Sequence, residues 1–257
     1  MTQTAPIFAP GSLMGTTLAF DLDGTLVDTA PDLMGTLNTI LADQGLASLP
    51  MEAARNLIGK GAKALLERGF AASGRKLDAE QSDRLFQQFL DIYLSRIAQD
   101  SRPFDGMERA LDLFAEAGAG LVVCTNKRTD LSLALLGALN LTSRFKAVIG
   151  ADSAPAPKPD ARHYLTAISA AGGVLEQSLM VGDSTADVQA ARNAGAPVVV
   201  FSFGYTEIPA ADLGADEVLH HYDDLPAAVA RLLRRMPLIW RFLSIVNSQA
   251  RNGRDGS

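Results

Sequence analysis

Four short clusters carry most of the residues whose chemistry goes beyond packing. They are Asp21-Leu22-Asp23-Gly24-Thr25, Thr125-Asn126-Lys127, Lys158-Pro159 and Gly182-Asp183-Ser184-Thr185-Ala186-Asp187. Asp21, Asp23, Asp183 and Asp187, brought to one edge, would repel one another strongly unless a cation came between them. An all-oxygen set with no His or Cys beside it selects a hard divalent ion, Mg2+ first, which commonly keeps waters and takes a phosphate oxygen as a further ligand. A carboxylate in such a set can act as nucleophile and form an aspartyl-phosphate, splitting one hard hydrolysis into two easier steps. A second acid two residues on is suited to protonate the leaving oxygen and later to deprotonate water. Thr125, Asn126 and Lys158 would hold the phosphoryl oxygens as charge develops in the transition state.

Those clusters are far apart in the chain, so the elements between them must bring them together. Residues 17–20, 121–124, 147–149, 179–181 and 198–201 are continuous apolar runs, as strands are when helices cover both faces of a parallel sheet. Helical periodicity fills 107–117, 129–139, 161–171 and 186–194, and a last short strand near Val218 precedes a helix over 225–235. Each cluster follows a strand, which is where sites lie in open parallel sheets. Residues 32–100 read as all-helical, with Leu33, Met34, Leu37, Ile40 and Leu41 on one face and shorter pieces over 52–72 broken at Gly59, Gly61 and Gly69. From Asp78 to Asp100 a regular stripe follows, formed by Leu85, Phe86, Phe89, Leu90, Tyr93, Leu94 and Ile97. The expected architecture is α/β: a doubly wound parallel sheet, Rossmann-like, formed by 17–30 and 103–236 and interrupted by an all-helical insert at 31–102. Residues 1–16 are expected as a loose leader and 237–257 as a C-terminal tail.

Composition narrows the partners. The 257 residues carry 23 Lys and Arg against 29 Asp and Glu, a net charge of −6 that argues against tracking nucleic-acid phosphates. At 47% hydrophobic and 20% charged the chain can bury a full core. One cysteine, Cys124, excludes an internal disulfide framework and reads as a small buried hydrophobe at a strand end. No apolar run reaches the ~18–20 residues that span a bilayer, and the start lacks a basic region followed by an apolar one. The expectation is a cytoplasmic monomer or homodimer acting on a small phosphorylated substrate, with no nucleic acid and no stable membrane insertion. The basic and apolar stretch 231–246 is expected to pack back on the core, with a dimer contact or weak membrane-surface association as alternatives. His163, His220 and His221 have no metal-ligand spacing around the acids and read as surface or loop residues, while Asp28 and Asp32 read as turn and helix N-terminal acids.

FDLDGTLVDT, CTNK, the Lys158-Pro159 pair and GDSTAD together resemble the four ordered motifs of the haloacid dehalogenase (HAD) superfamily. The resemblance covers the whole α/β core, and the helical segment stands where that superfamily inserts its first-type helical cap. It implies that Asp21 is the nucleophile and Asp23 the general acid/base, that Thr125 and Lys158 bind the phosphoryl group, and that Asp183 is a Mg2+ ligand beside Asp21 and the Asp23 backbone carbonyl. Asp187 is then an acid that orients the metal waters or Lys158. The acid at Asp23 is absent from the dehalogenases, and Thr25 follows the phosphatases where sugar phosphomutases often carry Val. The Lys-Thr-Gly of the transport ATPases is missing.

DTAPDL after the first motif, IGKGA followed by GlyAla-x-x-Leu-x-Glu-Arg, and FGYTE at 203–207 are similar to bacterial phosphoglycolate phosphatases. The insert's most unusual loop is Ile58-Gly59-Lys60-Gly61-Ala62, where two glycines flank a cation. Glycines permit close backbone approach, and Lys60 with Gly59 and Gly61 is expected to meet the carboxylate of 2-phosphoglycolate. That family often carries Asn at the position of Lys60. The alternatives are a HAD phosphatase or phosphomutase acting on sugar phosphates or another small ester, and, in another class, a catalytically inactive HAD-like binding protein.

Overall fold

In the computed structural model, which describes residues 7–53, 57–58 and 61–235, the apolar runs form one six-stranded parallel sheet. β1 (Thr17–Phe20) is central. On one side lie β4 (Gly120–Cys124) and β5 (Ala147–Ile149), and on the other β6 (Ser178–Gly182), β7 (Val198–Phe201) and β8 (Glu217–Leu219). Leu18, Phe20, Leu121, Val123, Leu179, Val181, Val199 and Phe201 face α4 (Met107–Glu116), α5 (Thr129–Ala138) and α8 (Leu225–Arg235). The alternate residues Ala19, Val122, Cys124, Met180, Val198 and Val200 lie under α6 (Ala161–Ala170) and α7 (Thr185–Ala194). Helices on both faces are the reason the strands are apolar without alternation. The fold is the doubly wound α/β sheet that the sequence pattern implies.

Phe20 is level with Val123 on one side and Val181 on the other, so Asp21, Thr125 and Asp183 all emerge at the same edge from adjacent central strands. β1 is where the winding direction reverses, and such a switch point opens a crevice beyond the strand ends.

The insert packs α1 (Ala30–Asp43), α2 (Ala62–Ala72) and α3 (Ala79–Ser95) around their own apolar cluster, which includes Leu37, Ile40, Leu66, Phe70, Leu85 and Phe89. α3 starts on a reciprocal capping box between Asp78 and Gln81, satisfying two donors at the helix start. Leu131 and Tyr205 of the α/β layer join this cluster and tie the insert to the sheet. Two details differ from the sequence expectation. Gly69 does not break a helix but lies inside α2, where a Cβ would meet the Leu37 side chain at 2.7 Å, so the missing side chain lets α1 and α2 approach. The long stripe of α3 also divides: Leu85, Phe89 and Tyr93 are buried, whereas Leu94 faces solvent.

The chain enters and leaves the insert through a short antiparallel ribbon of β2 (Val27–Asp28) and β3 (Arg102–Pro103). Two residues per strand are too few for a period-2 pattern to register. Asp32 is more than a helix N-terminal acid. Its fully buried carboxylate accepts hydrogen bonds from Ser101 N (2.8 Å), Ser101 Oγ (2.7 Å) and Asp100 N (3.1 Å), joining the outgoing helix to the returning chain.

Residues 7–16, expected as part of a loose leader, are mostly exposed but touch the core at two points. Leu13 is buried and its N–H donates to Ala117 O at 2.8 Å, and the Phe8 ring lies 6.0 Å from that of Phe114. Isolated apolar residues among prolines and glycines have no period to betray them. No helix among the described residues is long and apolar enough to cross a membrane. Most of the 231–246 stretch and the 237–257 tail lie outside the described residues.

Candidate active site at the sheet edge

Asp21 follows the last residue of β1, and its N–H donates to Val181 O, which fixes the backbone against β6. Its Oδ1 accepts from Leu22 N at 2.7 Å and lies 3.0 Å from Lys158 Nζ. Oδ2 has no hydrogen-bond partner among the described residues. Lys158 is buried, and its ammonium also donates to Asp187 Oδ1 (2.5 Å) and to the Cys124 carbonyl (2.7 Å). Burial disfavours the charge on Lys158, but Asp187 and Asp21 outweigh it and hold the ammonium protonated well above its ordinary range.

Asp183 emerges beside Asp21 from β6. Its Oδ1 accepts from Thr25 Oγ1 (3.0 Å) and its Oδ2 from Tyr205 N (2.5 Å). A Cβ on Gly24 or on Gly204 would collide with this carboxylate, so both glycines are needed to let the backbone close around it. Gly24 also has a positive φ of 82°, which favours glycine. Asp187, in the first turn of α7, accepts through Oδ2 from Ser184 Oγ (2.7 Å), Ser184 N (3.0 Å) and Asp183 N (3.2 Å). It thus positions both Lys158 and the turn that carries Asp183.

Burial raises the Asp21 carboxyl from 3.8 to about 6; Lys158 opposes this, and Asp187 and Asp23 add to it. Asp183 is raised well above its usual range by burial, then by Asp187 and Asp21. Oxygens of Asp21, Asp183 and Asp187 lie within 4.8 Å of one another. An all-carboxylate group this close, with its acids pushed toward protonation, fits a hard divalent cation. Asp187 Oδ1 is paired with the Lys158 ammonium and its Oδ2 takes three donors, whereas each Asp183 oxygen meets one neutral donor and Asp21 Oδ2 meets none among the described residues, so Asp21 and Asp183 are the better placed ligands.

Asp21, Asp23, Thr125, Asn126 and Asp183 line a cavity of about 240 Å³ between the sheet edge and the insert. Leu33, Ile58, Phe86 and Leu90 form much of its far wall, with Gly61 at its rim. Thr125 Oγ1 accepts from Lys127 N at 3.2 Å. The Asn126 amide is engaged at both ends: Nδ2 donates to Lys158 O (3.0 Å) and Oδ1 accepts from Lys158 N (2.8 Å). Its visible work is to hold the third motif against the second. Gly61 precedes α2 with φ 85°, whereas Gly59 and Lys60 lie outside the described residues, so the expected Lys60 contact has no structural account.

The haloacid dehalogenase-like hydrolase family model matches residues 18–201, which contain all four clusters and the insert. The chain belongs to this family. It is 57% identical over 225 residues to a phosphoglycolate phosphatase of Caulobacter vibrioides, covering 88% of this chain and 95% of that protein. A phosphoglycolate phosphatase of Mesorhizobium japonicum is 43% identical, covering 85% and 96%. The crystal structure of a predicted phosphoglycolate phosphatase from Haemophilus somnus superposes with a TM-score of 0.77 at 29% identity, covering 84% of this chain and 98% of that one.

Sequence reasoning missed three members of the site. His163 is not a surface residue: it is fully buried, its Nδ1 accepts from Lys158 N (3.1 Å), and its Nε2 lies 3.2 Å from Ile149 O. Burial first and Lys158 second lower it to about 4, so the ring is a neutral prop for the Lys158 turn. Its position on the inner face of α6, in step with Tyr164 and Ala167, was the available signal. Tyr205 reaches from the Asp183 loop to the ribbon, where its hydroxyl donates to Asp28 (2.5 Å) and accepts from Ala30 N (2.9 Å). Lys127, read only as part of a motif, is buried against Asp23 and Tyr93.

Proposed function

We propose that the protein is a Mg2+-dependent phosphomonoester hydrolase that works through an aspartyl-phosphate on Asp21, with 2-phosphoglycolate as its substrate. The observation that carries this reading is the Asp21 carboxylate. Lys158 holds one of its oxygens, and the other has no partner among the described residues at a cavity that Asp23 also lines. Asp21 Oδ2 attacks phosphorus, the bond from phosphorus to the ester oxygen breaks, and a proton from Asp23 passes to the departing alkoxide. Water then attacks the acyl phosphate, gives its proton to Asp23, and leaves inorganic phosphate and the free Asp21 carboxylate. Thr125 and Lys158 stabilise charge on the phosphoryl oxygens, and Asn126 keeps Lys158 in register. Asp21, Asp183 and the Asp23 backbone carbonyl would hold Mg2+, which when bound would supply Lewis-acid polarisation and offset the charge of the phosphate.

The cavity supports a small ester, since about 240 Å³ falls below the roughly 300–1,000 Å³ typical of drug-sized ligands. The relatives named phosphoglycolate phosphatase, at 57% and 43% identity, support the particular ester. The same reading assigns 17–30 and 103–236 to a catalytic core and 31–102 to a cap that excludes water, in a cytoplasmic monomer or homodimer. A panel of phosphate esters with phosphate detection tests it. 2-Phosphoglycolate should lead in kcat/KM by at least ~10-fold, or ~1.4 kcal/mol. Comparable turnover of hexose phosphates would sink the substrate assignment. Asp21→Asn should abolish turnover, and a chelator should do so reversibly; activity surviving either treatment overturns the mechanism.

A further inference from the structure

We propose that Lys127 is a positioning residue for the Asp23 carboxyl group, and that Tyr93 makes its hold depend on the seated cap. The inference rests on the acid/base reading of Asp23 given above. Lys127 Nζ lies 3.1 and 3.3 Å from the two carboxylate oxygens of Asp23. No other side-chain hydrogen bond fixes Asp23 among the described residues, although its side chain is 20% exposed at the cavity wall. The same ammonium donates to Tyr93 Oη at 2.8 Å and sits 4.4 Å from the centre of that ring.

Tyr93 belongs to α3 and Lys127 to the turn after β4, so this contact crosses from the insert to the sheet edge. An ammonium has three donor directions, and two of them here are spent on groups from different layers. Burying a lysine at the cavity wall is a poor way to gain stability, because desolvation of the charge consumes most of what the ion pair returns. A carboxyl group that must deliver a proton to one oxygen and take one from another needs a fixed position, which the pair provides. Tyr93 is in turn fully seated in the apolar cluster of the insert, so a displaced cap would withdraw one of the two anchors of Lys127.

The test compares Lys127→Met, Tyr93→Phe and Asp23→Asn on two esters. 2-Phosphoglycolate leaves as an alkoxide and needs the proton, whereas p-nitrophenyl phosphate leaves as a stable phenolate. Lys127→Met should lower kcat on 2-phosphoglycolate by about 100-fold or more with KM changed less than about 3-fold. On p-nitrophenyl phosphate the same variant should release one nitrophenolate per site in a fast burst and then turn over slowly, because the second step still needs Asp23. Tyr93→Phe keeps the ring and should keep the melting temperature while lowering kcat on 2-phosphoglycolate by roughly 10-fold. Mg2+ affinity by calorimetry should be unchanged in both. Loss of the burst, a change in KM alone, weakened Mg2+ binding, or full activity in Tyr93→Phe would each overturn the proposal. Asp23→Asn separates the two levels. If that variant is inactive while Lys127→Met is fully active, only this inference fails; if it is fully active, the acid/base reading fails first.

Discussion

Replacing Asp32 by alanine probes the joint through which the cap is attached. A helix N-terminal acid of the ordinary kind contributes about 0.3–1 kcal/mol through the helix dipole. The structure gives Asp32 a larger task, because its carboxylate is fully buried and Ser101 N, Ser101 Oγ and Asp100 N all donate to it, with Arg96 Nε at 3.4 Å. The Ser101 hydroxyl can turn to another acceptor once the carboxylate is gone, but the backbone N–H groups cannot. Ser101 is itself buried, so its N–H is left without water, at a cost of about 1–3 kcal/mol. Adding the lost bond from Asp100 brings the expected destabilisation to about 2–4 kcal/mol, while the partly exposed Arg96 keeps its pairing with Asp100. Urea unfolding of the variant beside the unaltered protein measures this directly. A loss below about 1 kcal/mol would refute the staple and return Asp32 to the role of a helix-end acid.

Three further outcomes follow from the site. Gly204→Ala should weaken Mg2+ binding by calorimetry at least ~10-fold while leaving the fold intact, since a Cβ there collides with Asp183; unchanged affinity would show that the loop relaxes freely. Mg2+ binding should release protons at acid pH. Metal-free folded protein keeps a proton on Asp21 up to about pH 6, whereas the unfolded chain loses it near 3.8, so that group makes the metal-free fold less stable as pH rises between those values. Mg2+ needs the ionised form, so its apparent Kd should rise about fivefold between pH 6 and pH 5, measured in buffers of different ionisation enthalpy. A flat profile would refute the raised carboxyl. Cys124 is buried and its thiol is pushed up to about 12, by burial first, so it should resist alkylation in the native state and react on denaturation; rapid native labelling would contradict the closed layer over β4.

The α/β alternation was legible because strands covered on both faces must be apolar throughout, and runs such as 121–124 and 198–201 have no other economical reading. The candidate site was legible for a related reason. In a parallel sheet, a polar cluster directly after a strand lands on one edge wherever that strand sits in the order, so Asp21, Thr125 and Asp183 could be grouped without knowing their neighbours. Motif resemblance then supplied roles that residue chemistry alone left open.

What only the tertiary structure decided is which charge meets which. His163, Lys127, Asp32 and Tyr205 carry no local signal of their partners, because those partners lie in other elements: Ile149, Tyr93, Ser101 and Asp28. Periodicity reports the burial of a face, which is an average over one element. A hydrogen bond between two elements depends on their relative placement to within an ångström, and packing sets that placement only when the whole core closes.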